Sequence, residues 1–105
     1  MTTYVLTYHG GSDMADDPVE HEKEMAAWGA WFGQMGPALV AEGNPLVASR
    51  TVHPDGSTTD GGPAPELSGY SLITADSFEA ALAVAKGCPV LADGGTVQVS
   101  EAVDV

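Results

Sequence analysis

The alternation of apolar and polar positions predicts β-strands near both ends of the chain and in its middle. Residues 3–9 are β-branched and aromatic and alternate with a period of two, which is typical of a strand. Gly10 and Gly11 follow and end this strand. Further strands are predicted over 46–53, 69–75 and 96–103, with a brief one near 57–59 inside a loop rich in Gly and Pro.

Apolar residues at helical spacing predict two helices between these strands. The first begins at Pro18, with Asp17 as N-cap and Glu20 three residues after the cap, and it ends near Met35. Residues 38–42 are expected to add a short helical turn. The apolar stripe of the first helix consists of Met25, Trp28, Phe32 and Met35.

The second helix is predicted from a capping box formed by Asp76 and Glu79. Lys86 in its last turn, Gly87 just past it and Pro89 beyond mark its end. Its apolar stripe consists of Phe78, Ala81, Leu82 and Ala85.

The element order β-α-β-β-α-β predicts a single α+β domain over residues 1–105. Short connections and right-handed crossovers turn this order into a ferredoxin-like subunit, with a four-stranded antiparallel sheet and both helices on one face. The strands carry apolar residues on both faces, with Val5 beside Leu6 and Leu72 beside Ile73. Because two helices cover one face only, a second copy of the chain is expected to cover the other, in a homodimer.

The composition argues against several classes of partner. The chain has 105 residues, with 3 Lys and Arg against 15 Asp and Glu, and a formal net charge of −12. Nucleic acid and anionic membrane surfaces are therefore not expected as partners, because both are bound through cations. The hydrophobic content of 44% is that of a folded domain rather than of a disordered acidic tail.

Three features of the sequence favour the cytoplasm. Cys88 is the only cysteine, so no disulfide can form within the chain, which fits a reducing compartment. The first basic residue is Lys23, so the basic region of a signal peptide is not expected. The longest strictly apolar run, 80–85, is far too short to span a membrane.

Short motifs follow one another along nearly the whole chain, namely Tyr8-His9-Gly10-Gly11, Trp28-x-x-Trp31-Phe32, Gly43-Asn44-Pro45-Leu46, Leu67-Ser68-Gly69-Tyr70 and Gly87-Cys88-Pro89. In their order and spacing they resemble the YCII-related proteins, which contain a DGPF motif. Residues 60–63, Asp-Gly-Gly-Pro, look like a degenerate form of that motif, with an extra Gly and with Ala64 where the Phe would stand.

The resemblance implies a dimeric α+β barrel built from ferredoxin-like subunits. Some relatives in this family use a His–Asp pair in a cleft, and one branch is a dehydrochlorinase. Their His lies on the first helix, close to the position of Ala26, where this chain has no His. His21 lies five residues earlier, and the catalytic role is not transferred to it.

His9 and Arg50 are the strongest candidate site residues. His9 ends a strand beside Gly10 and Gly11, which let a ligand approach the backbone, and it can act as general acid or base at the mouth of a cleft. The alternative is a strand-end His hydrogen-bonded to its surroundings. Arg50, the only Arg, is a candidate clamp for a ligand carboxylate, against the alternative of an ion pair with one of the many acidic residues.

Asp60, Trp31 and Cys88 carry weaker signals. A tight turn is sufficient to explain Asp60, and its role as a proton acceptor paired with His9 rests on the family motif alone. Trp31 lies at the edge of the apolar stripe and is a candidate ligand-binding or dimer-seam residue, with burial in the core as the alternative. Cys88 follows a helix C-terminus and is expected to be buried and inert.

The acidic stretch from Asp13 to Glu24 is expected to be a solvated surface, because its spacing matches neither an EF-hand loop nor a zinc-binding His pair. No metal and no cofactor are predicted. Together the observations favour a small cytoplasmic homodimer with a cleft for a small organic ligand and cofactor-free proton transfer, such as elimination or isomerisation. The alternative is a non-catalytic module that docks on another protein through the acidic stretch.

Overall fold

One antiparallel sheet carries the two α-helices of the described residues on the same face. The computed structural model describes residues 1–11, 18–63 and 65–104. The strands are β1 (Thr2–His9), β2 (Leu39–Ala41), β3 (Arg50–Val52), β4 (Thr58–Asp60), β5 (Leu67–Ala75) and β6 (Thr96–Ala102). The helices are α1 (Pro18–Met35) and α2 (Phe78–Ala85), with 3₁₀ turns at Gly36–Ala38 and Pro89–Asp93.

The main sheet has four strands in the order β2-β5-β1-β6, and every neighbouring pair is antiparallel. β1 lies in the centre because its period-two pattern buries one face against the helices while both edges pair. The predicted α+β class, the four-stranded antiparallel sheet and the two helices are confirmed. This strand order is compatible with a ferredoxin-like fold.

The second strand of the main sheet differs from the prediction. It is formed by Leu39–Ala41, whereas residues 46–53 supply β3, which pairs with β4 in a separate two-stranded sheet. The reason is local: the N–H of His53 donates to the carbonyl of Ser57 at 2.8 Å, so a short hairpin closes within this segment. β3 therefore pairs with the nearby β4 and not with a strand of the main sheet.

Residues 38–42 were expected to be a helical turn, and that prediction is wrong beyond the first of them. A 3₁₀ turn ends at Ala38 and the chain is then extended. Leu39 pairs with Ile73 of β5 and packs against the buried core. Pairing with β5 and partial burial of Leu39 thus accompany the extended structure of this segment.

The core lies between the main sheet and the helices. Tyr4, Leu6 and Tyr8, which share one face of β1, are all buried there. In α1 the buried side chain is Trp31, whereas Met25 of the predicted stripe is 53% exposed. The other three residues of the predicted stripe, Trp28, Phe32 and Met35, pack partly buried against this core, and Trp31 joins them by donating its indole N–H to a backbone carbonyl of α2.

The start of α2 lies one residue after the predicted capping box. Ser77 is the N-cap, and its hydroxyl accepts a hydrogen bond from the N–H of Ala80 at 3.1 Å. Asp76 precedes the helix. Phe78 and Leu82 of the predicted stripe remain 40% and 42% exposed, whereas Ala81 and Ala85 of that stripe are buried. None of the described helices is long and apolar enough to cross a membrane.

The opposite face of the main sheet is not covered by the helices. At its centre, Val5 of β1 and Leu72 of β5 are directly paired, and both are only half-buried. The molecule is flat, with extents of 43 × 43 × 19 Å. Its radius of gyration of 15.0 Å exceeds the value of about 13 Å for a compact chain of this length. We call this surface the open face; it consists of Thr3, Val5, Thr7, Tyr70, Leu72 and Thr74.

Candidate functional site

A cleft of about 590 Å³ lies where the β3–β4 hairpin meets one end of the main sheet. The sheet contributes His9, the last residue of β1, together with the first residues of β5 and β6. The hairpin contributes Arg50 and Thr51. The two strongest candidates from the sequence, His9 and Arg50, therefore line the same cleft, which we call the His9 cleft.

The imidazole of His9 is held at two points. Its Nδ1 lies 3.3 Å from the carbonyl oxygen of Pro65, and its Nε2 lies 3.1 Å from the hydroxyl of Thr7. A carbonyl oxygen accepts only, so Nδ1 must carry a proton and donate it. In the neutral ring Nε2 is then unprotonated and accepts a hydrogen bond from the hydroxyl of Thr7, and its lone pair is the one that a general base uses once Thr7 releases it.

Arg50 reaches the cleft with most of its hydrogen-bonding capacity unused. Its Nε lies 3.6 Å from Oδ1 of Asp60, the residue directly opposite on β4. The side chains are 80% and 95% exposed, so this ion pair contributes little to stability. Within the described part of the chain, no other ion pair or hydrogen bond engages the guanidinium.

Asp60 lies beside Arg50 and not beside His9. Its carboxylate is directed to solvent at the end of β4, and the contacts of the His9 ring are Thr7 and Pro65. The structure therefore brings the predicted pair of His9 and Asp60 to the same region without a contact between them. In this geometry Asp60 is a neighbour that competes for the guanidinium.

The two glycines after His9 turn the chain away from the sheet. Gly10 and Gly11 have φ values of +71° and +85°, a left-handed conformation that favours glycine. The N–H of Gly10 donates to the carbonyl of Glu66 at 2.8 Å, so it is already engaged. Gly11 packs toward Val90, away from the His9 cleft.

Trp31 lies on the other side of the main sheet from the His9 cleft. It is buried, donates a hydrogen bond from Nε1 to the carbonyl of Val84 at 3.0 Å, and meets Tyr8 edge to face. Trp31 is therefore a core residue, which is the alternative to a ligand-binding or dimer-seam role in the sequence analysis. It contributes nothing to the His9 cleft.

Sequence reasoning missed Thr7 and the carbonyl of Pro65 as the groups that orient His9. Thr7 was accessible from the pattern, because residues two apart on a strand share a face. Pro65 was not, because its position depends on a β-bulge that shifts the pairing between Tyr8 and His9. A bulge of this kind re-aims a side chain and leaves no periodic signal.

Comparison with known proteins gives no relative. No family model, no curated protein and no solved structure matches the chain. The similarity to the YCII-related proteins stays a prediction from short motifs. The geometry of the His9 cleft is the remaining basis for a function.

The acidic stretch offers no metal site in its described part. Asp13, Asp16 and Asp17 lie outside the described residues, and Asp17 is the predicted N-cap of α1. Glu20 forms an exposed ion pair with Lys23, with Nζ and Oε1 3.5 Å apart. Across residues 1–11, 18–63 and 65–104, no group of three or more His, Cys, Asp or Glu is placed to hold a metal ion.

Cys88 is expected to react slowly with alkylating agents in the folded protein. The residue is buried, and this burial raises the pKa of its thiol from 9.0 to about 11. Since the thiolate is the reactive form, iodoacetamide near neutral pH should modify the native chain about 100-fold more slowly than the unfolded chain. Equal rates would contradict the buried position.

The same shift predicts a loss of stability at high pH. Because the folded pKa of Cys88 is raised, its contribution is complete below pH 9.0 and is lost as the pH rises toward about 11. Urea unfolding across this window measures the decline. Cys88→Ala should flatten that part of the profile.

Proposed function

We propose that the His9 cleft binds a small organic acid, with Arg50 holding its carboxylate and His9 moving a proton on it. The observation that carries the proposal is the placement of one imidazole and one guanidinium with unused donors in one cleft of about 590 Å³. Ligand pockets of this volume typically take small molecules. The chemistry is cofactor-free proton transfer of the elimination or isomerisation type.

Arg50 supplies the binding energy and the orientation. A guanidinium presents a planar fork of N–H donors that matches a carboxylate. The weak ion pair with Asp60 keeps the side chain at the cleft without saturating it. A ligand carboxylate that approaches from the cleft takes up the terminal nitrogens or displaces Asp60.

His9 acts as the base through Nε2. The carbonyl of Pro65 fixes the tautomer, and Thr7 holds the ring until a substrate arrives. In an elimination, Nε2 takes a proton from the carbon next to the carboxylate, the electron pair of that bond forms the new double bond, and the leaving group departs with its own bonding pair. The resulting imidazolium carries an N–H on each ring nitrogen, and the carbonyl of Pro65 and the hydroxyl of Thr7 can both accept a hydrogen bond from it.

The test of binding uses 3-hydroxybutyrate, which has a carboxylate, a C–H on the carbon beside it and a leaving group one carbon further. Its titration should shift the amide signals of His9, Thr51 and Gly61 in an NMR spectrum. Arg50→Gln should weaken binding about tenfold, because a charge-assisted bidentate contact is lost. Asp60→Asn, which removes the competitor, should strengthen binding. An affinity that neither variant changes would contradict the role of Arg50.

Uptake of deuterium from D₂O at the carbon beside the carboxylate measures the proton transfer in the same samples. His9→Gln should abolish the uptake while 3-hydroxybutyrate still binds, because glutamine cannot act as a base. Uptake that persists in His9→Gln would place the base elsewhere. Binding without uptake in the unmodified protein would leave a binding site and overturn the catalytic part.

The open face supports a homodimer of ferredoxin-like subunits as the working form. Val5 and Leu72 form an apolar centre on a sheet face that the helices do not cover. The His9 cleft adjoins this face, since the imidazole of His9 contacts the hydroxyl of Thr7, which belongs to the face. A second copy packed there would form part of the cleft wall. The cytoplasmic location expected from the sequence stays a prediction.

A further inference from the structure

A second cavity of about 550 Å³ lies on the helix side of the main sheet, away from the His9 cleft. It is formed by α1, the C-terminal end of α2 and the 3₁₀ turn at Pro89–Asp93. We call it the helix-side cavity. The residues of its wall that matter for what it can bind are Lys23, Glu24, Trp28, Trp31, Lys86 and Asp93.

The wall contains both tryptophans of the sequence. The rings of Trp28 and Trp31 meet edge to face, with centroids 5.7 Å apart. Trp31 is 5% exposed and its N–H is already bonded to the carbonyl of Val84, so the half-buried Trp28 supplies most of the aromatic surface that a ligand can reach. A Cβ at Gly87 would lie 3.3 Å from Cδ1 of Trp31, so the absence of a side chain at this glycine lets the end of α2 pack closely against the edge of that ring. The wall is therefore suited to an aromatic ring.

The wall also contains both lysines of the sequence. Lys23 forms an ion pair with Glu20, whereas Lys86 takes part in no ion pair within the described residues. Glu24 and Asp93 bring the formal charge of the wall to zero, in a chain of net charge −12. An anion is repelled by most of this protein, but it meets an unneutralised ammonium here.

We propose that the helix-side cavity binds a small aromatic anion. The ring packs against Trp28 and Trp31, and the acidic group lies beside Lys86. Both parts of the ligand are required, because a neutral ring leaves the ammonium without a partner and an aliphatic acid leaves the indoles uncovered. This site does not depend on the function of the His9 cleft, since the two cavities share no wall residue.

Benzoate is the probe for this site, and the two indole N–H signals of the NMR spectrum are the readout. Both tryptophans lie at the helix-side cavity and neither lines the His9 cleft, so a shift of these signals reports the site directly. Benzoate at millimolar concentration should shift both signals in a saturable way. Benzyl alcohol, which has the ring without the charge, should bind at least about fivefold more weakly, as expected when a charged contact is lost.

Matched variants separate this site from the His9 cleft. Lys86→Gln should weaken benzoate binding at the indole signals about fivefold, and Lys86→Arg should restore it, since the charge is returned. Arg50→Gln should leave these signals unchanged. Indole signals that do not move, that move equally with benzyl alcohol, or that respond to Arg50→Gln and not to Lys86→Gln would overturn the proposal.

Discussion

Replacing Gly43 by alanine is expected to destabilise the fold by about 3–5 kcal/mol, a large part of the stability of a small domain. Gly43 follows β2 and has φ of +78°. A Cβ built there would overlap the backbone carbonyl oxygen of Tyr70 in β5. The substitution therefore adds a steric conflict with a strand to the conformational cost of a left-handed alanine.

The strand edge beside Gly43 has little freedom to move. The hydroxyl of Ser71 donates to the carbonyl of Glu42 at 2.6 Å, and the N–H of Leu46 donates to the carbonyl of Ser68 at 3.0 Å. These bonds hold residues 42–46 along β5 on both sides of Gly43. A new methyl group must break them or displace β5, which carries the core residue Ile73.

Gly56→Ala is the matched control for this prediction. Gly56 has φ of +87°, and a Cβ there would meet nothing within 4 Å. Its cost should be the conformational one alone, about 1–2 kcal/mol. Urea unfolding of both variants gives the two free energies, and equal losses would show that the approach to Tyr70 carries no penalty.

The fold was predictable from the sequence wherever a strand or helix is long enough to show a period. β1 and β5 bury alternate residues along eight or nine positions, and the seven-residue β6 turns its partly buried valines toward the core, so their alternation is visible. β2 has three residues and pairs with a strand far along the chain, so nothing local marks it. The segment 46–53 has strand-forming residues, yet its strand β3 pairs with the nearby β4 in a hairpin and does not join the main sheet.

The candidate site was predictable in its residue types but not in its geometry. His9 was identified because glycines end its strand, and Arg50 because it is the only Arg. Their placement in one cleft depends on where the β3–β4 hairpin packs, which no spacing encodes. Asp60 shows the limit of motif reasoning, since its contact is Arg50 rather than His9.

Replacing Leu72 by glutamate is expected to dissociate the proposed homodimer. Leu72 lies at the centre of the open face, directly opposite Val5. In a two-fold interface the same patch meets itself, so each dimer would bury two new carboxylates near each other without cations. The dissociation constant should rise about 100-fold or more, which light scattering or native mass spectrometry can follow.

Leu82→Glu is the matched control, because it makes the same change at an apolar residue of α2 that is 42% exposed on the opposite side of the molecule. It should leave association unchanged, and circular dichroism should show both variants folded.

The dependence of association on salt concentration provides a second criterion. Two subunits of net charge −12 repel each other, so screening should strengthen an apolar sheet-to-sheet dimer, whereas docking of the acidic stretch on a basic partner would weaken. A monomeric unmodified protein, or a dimer that tolerates glutamate at the centre of the open face, would refute this arrangement.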